Sequence, residues 1–70
     1  MKRLLTIVSI KTGDTLQKYK LYENKGKRQV AEIMIKELDE LGVSIVDRSE
    51  KKDVIQLTLD DGRYMYIVSV

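Results

Sequence analysis

One amphipathic stripe limits the architectures open to this chain. From about Lys27 to Leu41, the apolar residues Val30, Ile33, Met34, Leu38 and Leu41 recur every three or four positions, and Ala31 and Ile35 widen the stripe. Arg28, Glu32, Lys36, Asp39 and Glu40 point the other way. Asn24 is expected to open this helix with its side-chain oxygen, and Gly42 to end it in a left-handed cap. No second helical pattern occurs in the 70 residues. The apolar side of the helix therefore needs a sheet to lie on.

The rest of the chain supplies strands. Arg3 to Lys11, "RLLTIVSIK", is rich in β-branched residues and short, and Leu16 to Glu23, "LQKYKLYE", returns after a turn at Gly13 and Asp14. With those two residues at the centre of the turn, Thr12 opposes Thr15, Val8 opposes Tyr19 and Thr6 opposes Leu21. One face of this hairpin then holds Leu4, Thr6, Val8, Ile10, Tyr19 and Leu21. The other holds Arg3, Leu5, Ile7, Lys11, Leu16, Lys18, Lys20 and Tyr22.

Val43 to Arg48 reads as a third strand, followed by a loop from Ser49 to Asp53. Val54 to Leu59 and Arg63 to Val70 flank Asp61 and Gly62, a pair suited to a type I′ hairpin turn. That turn sets Leu59 against Tyr64, Leu57 against Tyr66 and Ile55 against Val68 as one apolar face. It leaves Val54, Gln56, Thr58, Met65, Ile67 and Ser69 on the reverse. The expected fold is α+β: a mostly antiparallel sheet of about five strands in the order ββαβββ, with one helix packed on one face and all residues in a single domain.

Composition narrows the chemistry. With 43% hydrophobic and 34% charged residues the chain has the balance of a globular domain. It contains neither cysteine nor histidine, which rules out disulfides and thiolate metal sites and removes the usual general base near neutral pH. No pattern places a nucleophile beside a base and an orienting group. Asp60 and Asp61 supply too few oxygens for a calcium site. A non-enzymatic protein without cofactor or metal is expected. Lys2 and Arg3 before Leu4 to Ile10 imitate an export signal, but the apolar stretch is short, is interrupted by Thr6 and Ser9, and precedes no small-residue cleavage site. The expected location is the cytoplasm, with no membrane association.

Charge is unevenly distributed. Residues 1 to 30 carry eight bases and two acids, a balance of +6, whereas the remainder carries five bases and nine acids, a balance of −4. Arg3, Lys11, Lys18 and Lys20, with Tyr22 among them, form a candidate face for an acidic partner or for nucleic acid, although lysines also keep exposed strands from aggregating. Lys25, Lys27 and Arg28 crowd the start of the helix, where the macrodipole repels cations, and form a candidate anion site. Glu32 and Lys36 are spaced for an i,i+4 pair. Leu5, Ile7, Val54, Met65 and Ile67 fall on the side of the sheet that one helix cannot cover, and form a candidate partner or oligomer interface. The expected role is a small binding or regulatory module that engages a protein partner and forms homo-oligomers. A nucleic-acid-binding protein and a purely structural homo-oligomer are the alternatives.

Overall fold

A computed structural model of the chain describes residues 4–69. The elements run β1 (Leu5–Thr12), β2 (Thr15–Glu23), α1 (Lys27–Glu40), β3 (Ile45–Glu50), β4 (Val54–Leu59) and β5 (Tyr64–Ser69). The strands form one sheet in the order β2-β1-β5-β4-β3, with every neighbouring pair antiparallel. The α+β class and the ββαβββ order agree with the expectation from sequence. The last strand, β5, lies at the centre, inserted between β1 and β4.

The core forms where the helix stripe meets alternate residues of the inner strands. Val30, Ala31, Met34 and Leu38 of α1 are buried against Val8 of β1, Ile55, Leu57 and Leu59 of β4, and Met65 and Ile67 of β5. One buried polar side chain joins them. The Thr6 hydroxyl donates to the Lys25 carbonyl and lies 3.1 Å from the Ser69 hydroxyl, so β1 is fastened to the chain that leads into α1 and to the end of β5. Both contacts satisfy a group that would otherwise cost stability inside the core.

The two ends of the helix differ from each other. At the C-terminus Gly42 adopts φ +81, the Gly42 N–H donates to Asp39 and the Val43 N–H donates to Leu38. This is a Schellman motif, and Val43 packs on the core as its apolar partner. Leu41, read from sequence as part of the buried stripe, is the cap residue and 68% exposed. At the N-terminus the expected Asn24 cap does not form. Gly26 occupies the cap position with no side-chain hydrogen bond, while Asn24 sits at φ +62 and turns the chain out of β2. Asparagine tolerates that left-handed conformation better than most residues. Because Val43 completes the cap, β3 begins at Ile45 rather than Val43, and it runs on to Glu50.

Both hairpins depart from the expected registers, each by one residue. In the first, Gly13 at φ +60 opens a two-residue turn and Thr12 does oppose Thr15. The pairing holds as far as Ser9 with Lys18, then shifts, so that Val8 opposes Lys20 and Thr6 opposes Tyr22. Tyr19 is the extra residue of this bulge. In the second, the Leu59 N–H donates to Arg63 and the Gly62 N–H to Leu59, with Gly62 at φ +89. The connection therefore spans Asp60, Asp61 and Gly62, a three-residue loop whose left-handed glycine makes a bulge, in place of a two-residue type I′ turn. Leu57 then opposes Met65 and Ile55 opposes Ile67. A shift of one residue sends each side chain of β5 to the other face.

The open face of the sheet

The helix covers one face of the sheet, and no described residue covers the other. On this open face the pairings align side chains in rows that cross the strands. Leu21, Ile7, Val68 and Val54 make an apolar row over β2, β1, β5 and β4. Lys18, Ser9, Tyr66, Gln56 and Ser49 make a second row over all five strands. Leu16, Lys11, Tyr64, Thr58 and Asp47 make a third. Leu5 and Glu23 pair beyond the apolar row. Ser9, Lys11, Leu16, Val54, Tyr66 and Val68 line a shallow open depression of about 420 Å³ within this surface.

Three of the five residues expected at a partner interface, Leu5, Ile7 and Val54, lie on this face. Met65 and Ile67 do not: both are fully buried beneath α1, and Tyr64, Tyr66 and Val68 take their place outside. The exchange has a chemical reason. A buried tyrosine needs a partner for its hydroxyl, whereas methionine and isoleucine bury no polar atom. The sequence holds that signal, and alternation alone misses it because β5 is apolar or aromatic at every position but its last.

The candidate basic face is likewise divided. Lys11 and Lys18 stand on the open face, and Arg3 lies outside the described residues. Lys20 and Tyr22 belong to the helix side, carried there by the bulge at Tyr19. Tyr22 packs against the core, and the Lys20 ammonium lies 2.5 Å from the Glu37 carboxylate of α1 and 5.5 Å from the centre of the Tyr19 ring. The hydrogen bond to Glu37 raises the Lys20 pKa above the ordinary lysine value. Tyr19 and Leu21, read from sequence onto the same hairpin face as Val8, are 41% and 46% exposed, whereas Val8 is buried.

At the start of α1 the chain supplies its own anion. The first turn contains no acidic residue, but Glu50 at the end of β3 accepts a 2.8 Å hydrogen bond from the Arg28 guanidinium. That bond, with the nearby charges of Arg28, Arg48 and Lys27, holds the Glu50 carboxyl below its ordinary pKa. Lys25 contributes its backbone carbonyl to Thr6. Of the three residues proposed for an external anion, Arg28 is thus already paired across the fold. Glu32 also pairs across the fold, with Arg48 at 3.3 Å, rather than with Lys36 along its own helix. In the second hairpin loop Asp61 accepts from the Arg63 backbone and side chain, which lowers the Asp61 pKa, while Asp60 accepts from the Ser44 N–H.

These pairings leave the open face with an uncommitted set of charges. Among the described residues Lys11, Lys18 and Asp47 form no salt bridge. No three acidic side chains among the described residues converge to hold a metal ion, and no helix there is long and apolar enough to cross a membrane. The arrangement defines a one-helix α+β protein with a broad, partly apolar, unroofed sheet. No protein-family model, curated protein or solved structure matches the chain.

Proposed function

We propose that the chain is a non-enzymatic binding module whose open sheet face docks a protein. The observation that carries this reading is the apolar row of Leu21, Ile7, Val68 and Val54, with Leu16, Tyr64 and Tyr66 beside it, on a face that nothing in the described chain covers. Leu16 is 62% exposed. A continuous apolar surface of this kind is costly to leave in water and marks interaction sites. Tyrosine on such a surface offers a large, rigid contact area with a polar tip.

Single-stranded nucleic acid is a second reading, favoured by Tyr64 and Tyr66 on the central strand with Lys11 beside Tyr64. Tyrosines two apart on an open sheet can stack bases. Against it stand the few cations that the described residues bring to this face, Lys11, Lys18 and Lys51, and the presence there of Asp47 and Glu23. Phosphate binding depends on many cationic contacts.

Photo-crosslinking in the native host tests the choice. A photoreactive residue at Gln56, in the middle of the open face, is expected to give nuclease-resistant protein adducts. The same residue at the exposed Leu41 position is expected to give few. Adducts to nucleic acid, or equal yields from the two positions, would reject protein docking at this face.

A further inference from the structure

We infer that the occupant of the open face is a second copy of this chain, packed face to face about a two-fold axis parallel to β5. The inference rests on the reading of this face as a protein-docking surface, and adds the partner and its orientation.

Size permits the arrangement. Five strands about 4.8 Å apart, each presenting about six residues at roughly 3.4 Å, form a face of roughly 24 by 20 Å. Two such faces withdraw on the order of 1,000 Å² from water before the relief of the side chains is counted, which reaches the lower bound of specific interfaces. The edges of the sheet suit self-association less. Edge strand β2 is broken by the bulge at Tyr19 and carries Lys18 and Lys20. Edge strand β3 has six residues, its own irregularity near Ile45, and the charges of Asp47, Arg48 and Glu50. Bulges and charges of this kind prevent strand addition.

The rows select the axis. Rotation about a line along β5 lays β1 over the partner's β4 and β2 over its β3, and each row meets its own counterpart. Val68 then stands over the partner's Val68, and Ile7 over the partner's Val54, giving an apolar centre. In the Tyr64 row, Asp47 comes to lie over the rim residue Leu16 of the partner and one strand away from the partner's Lys11, and symmetry makes this contact twice. An axis across the strands would instead put Lys11 over the partner's Ile7 and Lys18 over the partner's Lys18, a like-charge contact inside the interface. Lys11 and Asp47, which form no salt bridge among the described residues, are thus brought near each other by the axis along β5.

Light scattering on the purified full chain, from low-micromolar to submillimolar concentration, is expected to show a rise to twice the single-chain mass. Val68→Glu should weaken self-association at least about 100-fold, because it buries an unpaired charge at the centre. Lys11→Glu and Asp47→Lys lie at exposed or half-exposed positions and test the same point without risk to the core. Each should weaken the dimer roughly twofold to tenfold, and the two together should restore it. A single-chain mass at every concentration overturns the dimer, while Gln56 adducts to a different protein would leave the docking reading standing. A dimer indifferent to Val68→Glu places the interface elsewhere and overturns the inference. Sensitivity to Val68→Glu without rescue by the charge swap overturns the axis. A thymidine oligonucleotide that binds and displaces the second copy overturns it in favour of nucleic acid.

Discussion

Met65 and Tyr66 are adjacent in sequence and opposite in situation. Met65 is fully buried under α1, whereas Tyr66 stands between Ser9 and Gln56 on the open face. Met65→Ala should therefore cost about 2 to 5 kcal/mol, the range for truncating a buried side chain and leaving a cavity. Tyr66→Ala should cost clearly less in the isolated chain. Urea denaturation of the two variants measures both, and a larger loss at Tyr66 would contradict the register of β5. These two residues also show where sequence reasoning reached its limit. Strand periodicity says that neighbours face opposite ways, but it cannot say which of two apolar sets goes inside. Only the hydroxyl distinguishes them, through the hydrogen bond that burial would demand.

Among the elements, the helix was the most legible. Its stripe, its span to within a residue at Glu40 and its glycine stop all follow from spacing and from Gly42. The hairpins were legible as hairpins but not in register, because a single bulged residue leaves no mark in the alternation on either side of it. Tyr19 in β2 and Gly62 in the second loop each add the residue that a simple pairing omits. The backbone at these points supplies two opposite expectations. Gly62→Ala should destabilise by about 1 to 2 kcal/mol, since an alanine resists the left-handed conformation that φ +89 requires. Gly26→Asp should stabilise by about 0.5 kcal/mol, because Gly26 caps the helix with extended backbone and open space where a Cβ would go. The aspartate would accept from the first turn and offset Lys27 and Arg28. Thermal melts that moved both variants in one direction would argue against this account of the loops.

For the molecule as a whole, part of the charge that looked segregated in sequence is paired across the fold. Lys20 reaches Glu37, Arg28 reaches Glu50 and Arg48 reaches Glu32. Stability should consequently fall at both extremes of pH. The Glu50 and Asp61 carboxyls have depressed pKa values, so their contribution is present above the unfolded-state value and is lost as pH falls through the folded one. Lys20 is raised, so its contribution is present below the unfolded value and lost as pH rises through the folded one. Urea midpoints should hold level near neutrality, then decline below about pH 4 and above about pH 10. Glu50→Gln and Asp61→Asn should each flatten the acid limb. An acid limb unchanged in both would show that these pairs do not couple protonation to folding. The candidate site was legible in its kind, an apolar sheet face without a roof, because one helix cannot cover two faces. Its membership was not, since that depended on the two offsets.

The central position of β5 has a consequence for how the chain reaches this form. Until β5 is in place, β1 and β4 each carry an unsatisfied ladder edge, and β1 precedes it by about fifty residues. The β1 and β5 pairing spans nearly the whole chain, and such distant closures are slow and leave intermediates vulnerable to association. Any truncation ahead of Tyr64 therefore leaves two half-sheets rather than a smaller version of the whole.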